Sequence, residues 1–184
     1  MKSSGNKIWG NQKLKEIGFN INNNDKVGEA WVISGYKNKS SYITTKGKYF
    51  NMSLKDLFEN HRHLFNNYQG EYPLLAKIIT TSDNLSVQVH PNDDVAICKH
   101  NQLGKPESWY VLDCNKDSSL VYGHNAKTKK ELEEMVINNQ WDMLLKTVDI
   151  KKSDFLYVPT GKVHAITSNV VIYELQHSSD VTYR

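Results

Sequence analysis

Hydrophobic and polar residues alternate along most of this chain in short runs. In "GEAWVISGY", Ala30, Val32 and Ser34 share one side while Trp31 and Ile33 share the other, the period-two pattern of a strand. "SSYITTKGKYF" predicts a strand entering a Lys46–Gly47 turn, and "PLLAKIITTSD" and "NLSVQVHP" predict two further strands joined by a polar turn. "ESWYVLDC", "SSLVYGH", "DFLYVPTGKVHAI" and "VVIYELQHSS" extend the series, with a turn at Pro159 and Gly161 inside the third.

Two segments follow helical spacing instead. Over 52–67, Ser53 can cap a helix whose apolar positions are Leu54, Leu57, Phe58, Leu64 and Phe65. Over about 126–147, Thr128 and Glu131 make a capping box ahead of Leu132, Met135, Val136, Trp141 and Leu144. His61 and His63 in the first segment are two residues apart. On a helix that is roughly 200° of rotation, so they predict a solvated face and not a shared ligand site. Many short strands with two helical insertions predict a mainly β fold, a sandwich or barrel, in one domain over residues 1–184.

The composition narrows the function classes. A chain of 184 residues is long enough to bury one core. The net charge of +3 is small and the basic residues are scattered, which argues against nucleic acid as a partner. No run nears the roughly 18 to 20 apolar residues of a membrane helix, and the N-terminus has no apolar signal-peptide region. Cys98 and Cys114 lack a CxxC spacing, so two reduced thiols are expected. The expectation is a soluble cytoplasmic protein.

The chemistry concentrates in "LSVQVHPNDD". Residues i and i+2 of a strand share a face about 6.6 Å apart along the chain, so Gln88 and His90 are able to converge on one ion, with Ser86 on the same face. Glu107 in "GKPESWY" and His164 in "VPTGKVHAI" are the candidate third and fourth ligands. Two oxygen and two nitrogen donors suit Zn²⁺. One carboxylate against a dication leaves net positive charge for polarising a carbonyl or hydroxyl.

Pro159, Gly161, His164 and Asn169 form a pattern that resembles the second signature of the cupin superfamily. Together with "IWGNQKL", "GEAWVISG", "LSVQVHPNDD", "GKPESWY" and "YELQHSSDVTYR", the chain resembles type I mannose-6-phosphate isomerases over nearly its whole length. The resemblance implies a cupin-type jelly-roll barrel with inserted helices and one Zn²⁺ held by Gln88, His90, Glu107 and His164. It implies a sugar-phosphate substrate, mannose 6-phosphate or fructose 6-phosphate, interconverted through an enediol. By the same match Arg184 is the catalytic arginine, and Ser86, Lys105, Glu174 and Asp180 line the cleft; Lys77 matches a lysine of less defined role. Lys105 and Glu174 are both candidate bases, and Ser86, Lys105 and Arg184 are all candidate phosphate partners. An iron oxygenase would want a histidine-richer set than one containing Gln88.

Family members continue beyond the position matched by Arg184 and add a second β domain. A terminal arginine is expected to be loosely held. The expectation is therefore a truncated chain, either an active isomerase or a metal- or sugar-phosphate-binding cupin with little turnover.

Overall fold

The computed structural model describes residues 2–3 and 6–184. Strands β1 (Lys2–Ser3) and β2 (Asn6–Asn11) lead into helix α1 (Lys13–Glu16), strand β3 (Glu29–Ser34) and helix α2 (Leu54–Asn60). A 3-10 turn over Arg62–Phe65 precedes β4 (Leu74–Thr80), α3 (Asp93–His100), β5 (Glu107–Cys114) and β6 (Ser119–His124). Helices α4 (Lys129–Ile137) and α5 (Trp141–Leu144) then give way to β7 (Leu145–Asp149), β8 (Phe155–Val158), β9 (His164–Ala165) and β10 (Val170–His177).

All strands but β2 form a six-stranded sheet, β1-β3-β4-β10-β5-β8, and a three-stranded sheet, β7-β6-β9, with antiparallel pairing among the described residues. This is the mainly β, cupin-like architecture expected from the sequence. Directly opposed residues of antiparallel strands share a face, so the register lays side chains in rows across the larger sheet. Ile79, Ile172 and Val111 make one inward row. They pack with Trp109 and Val158 against Leu120, Ile150 and Ile166, which close the core from the other side. A fully buried aliphatic side chain contributes about 1.5–3 kcal/mol, so this row anchors the sandwich. A smaller cluster of Leu14, Ile21, Val27 and Ala30 packs α1 and its loop onto β3.

The next inward rows turn polar. Trp31, Lys77, Glu174 and Trp109 are aligned across β3, β4, β10 and β5; Leu75, Gln176, Glu107 and Val158 are aligned beside them. One sheet face thus runs from a dry core to a charged floor within two or three residues.

Local signals explain several boundaries. Ser53 Oγ accepts from Asp56 N and caps α2, and Thr128 Oγ1 accepts from Glu131 N and caps α4. Three expectations need correction, and one helix was not foreseen. The helix expected over about 126–147 stops at Ile137, restarts for one turn at Trp141, and ends as strand β7. Asn139 sits at φ 54°, a left-handed conformation that no helix interior admits. "SSYITTKGKYF" makes only one bridge, Tyr42 with Ser53, before its turn.

"LSVQVHP" is extended but is no regular strand. Gln88 bridges His164 on one side and Val89 bridges Tyr183 on the other. It changes neighbours from one residue to the next, and Pro91 lacks the N–H to extend a ladder. Finally, α3 was not expected. Asn92 caps it by accepting from Val95 N, Asp93 and Asp94 sit at its positive end, and Lys99 and His100 lie in its last turn. Only Ala96 of α3 is buried, so no apolar stripe announced it.

Candidate metal centre

Three of the four expected ligands meet at one point. The ligand atoms of His90, Glu107 and His164 all lie within 4.8 Å of one another, and all three residues are buried. His90 Nε2 is 3.2 Å from Glu107 Oε1, and His164 Nε2 is 3.6 Å from Glu107 Oε2.

The imidazoles are oriented from behind. His90 Nδ1 lies 3.0 Å from the Val181 carbonyl, and His164 Nδ1 lies 2.8 Å from the Lys162 carbonyl. A carbonyl only accepts, so each Nδ1 carries a proton, which leaves each Nε2, beside Glu107, as the atom able to ligate an ion. His164 Nε2 and Glu107 Oε2 are buried without a hydrogen-bond partner among the described residues, whereas Glu107 Oε1 has Lys105 Nζ 3.0 Å away. Buried polar atoms left this way are costly, and a cation bound between them removes the cost. Histidines with Nδ1–H on backbone carbonyls are what metal sites use. The residues present fit a metal ion.

Gln88 approaches from the adjoining segment. Its N–H donates to His164 O and its carbonyl accepts from His164 N, each at 2.9 Å. Directly opposed residues of such a pair project to the same side, which places Gln88 beside the imidazole of His164.

The loops bring the segments close. Gly161 adopts φ 80° in the turn after Pro159, and its N–H donates to His90 O at 2.8 Å. At Gly104 a Cβ would stand 2.8 Å from Pro91 O; a side chain there would push Lys105 and Glu107 away from His90.

Lys105 is buried against the cluster, with Nζ 3.0 Å from Glu107 Oε1 and 3.5 Å from His90 Nε2. Burial pushes the Glu107 carboxyl up, but the His90 ring and Lys105 outweigh it and hold it down to about 2. Burial lowers the His164 imidazole, favouring the neutral form a metal needs.

Behind the cluster lies a buried ion pair. Lys77 Nζ is 3.1 Å from Glu174 Oε1, 3.8 Å from Glu29 Oε2 and 2.7 Å from Gln176 Oε1. Trp109 Nε1 donates to Glu174 Oε2 at 3.0 Å. Burial lowers Lys77, but Glu174 and Glu29 more than restore it, so its pKa is raised. Burial and the nearby Glu107 raise Glu174.

Ser86 and Arg184 meet at the rim, where Arg184 Nε donates to Ser86 Oγ at 3.0 Å and both residues are exposed. Asp180 stands apart, in an open groove of about 500 Å³ that Tyr36, Tyr72 and Gln102 also line and no metal-cluster residue reaches. Glu29, Trp109 and Gln176 went unnoticed in the sequence. Gln176 carried a readable signal: it follows Glu174 by two residues, the same spacing that drew attention to Gln88 and His90.

Among known proteins, the family described as phosphomannose isomerase type I, catalytic domain, matches residues 2–122. The chain belongs to the type I phosphomannose isomerase family. Mannose-6-phosphate isomerase ManA of Bacillus subtilis is 45% identical over 180 residues, covering 97% of this chain and 56% of its own length. Mannose-6-phosphate isomerase of Streptococcus mutans is 43% identical with the same coverage. The crystal structure of mannose 6-phosphate isomerase from Bacillus subtilis superposes with a TM-score of 0.92 at 37% identity, over 97% of this chain and 57% of that one. This phosphomannose isomerase-family chain therefore spans a little over half the length of these relatives. No helix among its described residues is long and apolar enough to cross a membrane.

Proposed function

We propose that this chain is a zinc-dependent isomerase domain that interconverts mannose 6-phosphate and fructose 6-phosphate. The observation that carries the reading is the convergence of His90 Nε2 and His164 Nε2 on the Glu107 carboxylate, in a chain of this family. Gln88, His90, Glu107 and His164 would hold one Zn²⁺. When bound, Zn²⁺ supplies a Lewis acid for the oxygen on which negative charge develops.

The chain's own side chains do the remaining work. A proton must leave C2 of the aldose and arrive at C1, passing through an enediol of the sugar. Lys105 is the titratable side chain against the cluster that is not itself an expected ligand, and we assign it the proton transfer. Glu174 has one oxygen beside Lys77 and the other on Trp109, an arrangement suited to holding Lys77 rather than to reaching a sugar carbon. Arg184, positioned by Ser86 at the exposed rim, binds the anionic end of the substrate. Asp180, in its separate groove, is assigned no step. Cys98 and Cys114 are both free, which fits a reducing cytoplasm.

A second reading is a metal- or sugar-phosphate-binding cupin with little turnover. It rests on the same His90, Glu107 and His164 cluster, which can hold an ion without turnover. A coupled assay for fructose 6-phosphate on the zinc-loaded chain separates the two. Turnover of mannose 6-phosphate that falls at least tenfold in Lys105→Met supports the isomerase; zinc binding without turnover leaves the second reading.

A further inference from the structure

We propose that Gln176 is a positioning residue that holds the turn behind His90 and the buried Lys77–Glu174 pair in a single arrangement. The inference rests on the metal-binding reading above, but not on isomerase turnover.

Gln176 lies in β10 with 2% of its surface exposed. A buried amide is costly unless its hydrogen bonds are made, and this one makes three. Nε2 donates to His177 O at 2.8 Å and to Ser179 O at 3.0 Å, while Oε1 accepts from Lys77 Nζ at 2.7 Å. The two carbonyls only accept, so they fix the amide with its oxygen toward the ammonium. No other neutral side chain of similar size offers two donors and an acceptor in that plane except asparagine, which is one methylene too short.

The two ends of the amide lead to different parts of the site. On the Nε2 side, the carbonyls belong to the turn after β10. Within that turn Val181 N donates to Ser179 Oγ at 3.4 Å, and Val181 O accepts the proton on His90 Nδ1 at 3.0 Å. The imidazole is thus oriented by a carbonyl whose own position depends on a turn tied down by Gln176. On the Oε1 side, Lys77 is held against Glu174. Gln176 also opposes Glu107 in the β10–β5 register, so its backbone borders a second expected ligand. Partners behind a metal ligand typically change affinity by about 10- to 100-fold.

The test is zinc affinity, measured by competition with a chromophoric chelator on the whole chain. Gln176→Met loses both ends of the amide; Gln176→Glu keeps an acceptor for Lys77 but replaces the donors facing the two carbonyls. Thr128→Ala, which removes the cap of a surface helix far from the site in sequence, supplies a variant of lowered stability alone. Both Gln176 variants are expected to bind zinc about 10- to 100-fold more weakly, with Thr128→Ala within about twofold of the parent. If Gln176→Met does not fold, Gln176→Glu alone decides. A folded Gln176 variant with parental zinc affinity overturns the assignment, as does an equal loss in Thr128→Ala. A parent chain that binds no zinc overturns the metal reading itself, a result distinct from either.

Discussion

Lys77 and Glu174 face each other in register across β4 and β10, both buried, with 3.1 Å between Nζ and Oε1. They sit one row from the aliphatic core that closes the sandwich. Breaking a buried pair from one side leaves an uncompensated charge, typically costing about 3–5 kcal/mol, whereas replacing both members with apolar groups is often nearly neutral. Lys77→Met should therefore destabilise the chain strongly in urea, and Lys77→Met with Glu174→Leu should recover most of the loss. Additive losses would show that the two groups are energetically independent.

Acid should destabilise the metal-free chain through Glu107. Its carboxyl is held at about 2 against an ordinary 4.5. A depressed folded-state pKa gives stability that is present above 4.5 and is lost as the pH falls toward 2. The melting temperature of the chelator-treated chain should decline across that window, and Glu107→Gln should flatten this part of the profile. An unchanged slope in that variant would assign the acid sensitivity to other carboxyl groups.

Gln88 is expected to be a ligand weaker than the charged or imidazole donors. Gln88→Leu retains the backbone bridge to His164 while removing the amide oxygen. Zinc affinity should drop about tenfold, or about 1.4 kcal/mol, and less than in His90→Ala or Glu107→Ala. Equal affinity in Gln88→Leu and the parent would remove Gln88 from the ligand set.

Arg184 is expected to act through its planar fork. Nε is committed to Ser86 Oγ, leaving the terminal nitrogens for an anion, and lysine cannot reproduce that geometry. Arg184→Lys should lower kcat/KM for mannose 6-phosphate by at least about tenfold, with zinc affinity unchanged. Ser86→Ala should raise KM more than it lowers kcat. Parental kinetics in both variants would exclude this rim from substrate recognition.

Much of the local structure was legible from residue order. Period-two alternation located β3, β4, β5, β6, β8 and β10, and the hydroxyl groups of Ser53 and Thr128 marked two helix starts that the backbone uses. These are short-range effects, settled by neighbours within a few residues. The misses share a cause as well. Helix α3 has polar caps but almost no apolar stripe, and the chain past Asn139 gains strand partners in β6 that no helical pattern foretells.

The candidate site divides in the same way. The sequence by itself determined that Gln88 and His90 are two residues apart in an extended segment, and that Pro159 and Gly161 place a turn before His164. Tertiary structure alone decided that Gln88 opposes His164, that both imidazoles give their Nδ1 protons to backbone carbonyls, and that Gln176 links Lys77 to the turn behind His90. The physical reason is range. Alternation is a property of one strand's geometry, but which side chains share a face across strands depends on register, set by pairing between residues as distant in sequence as Leu74 and His177.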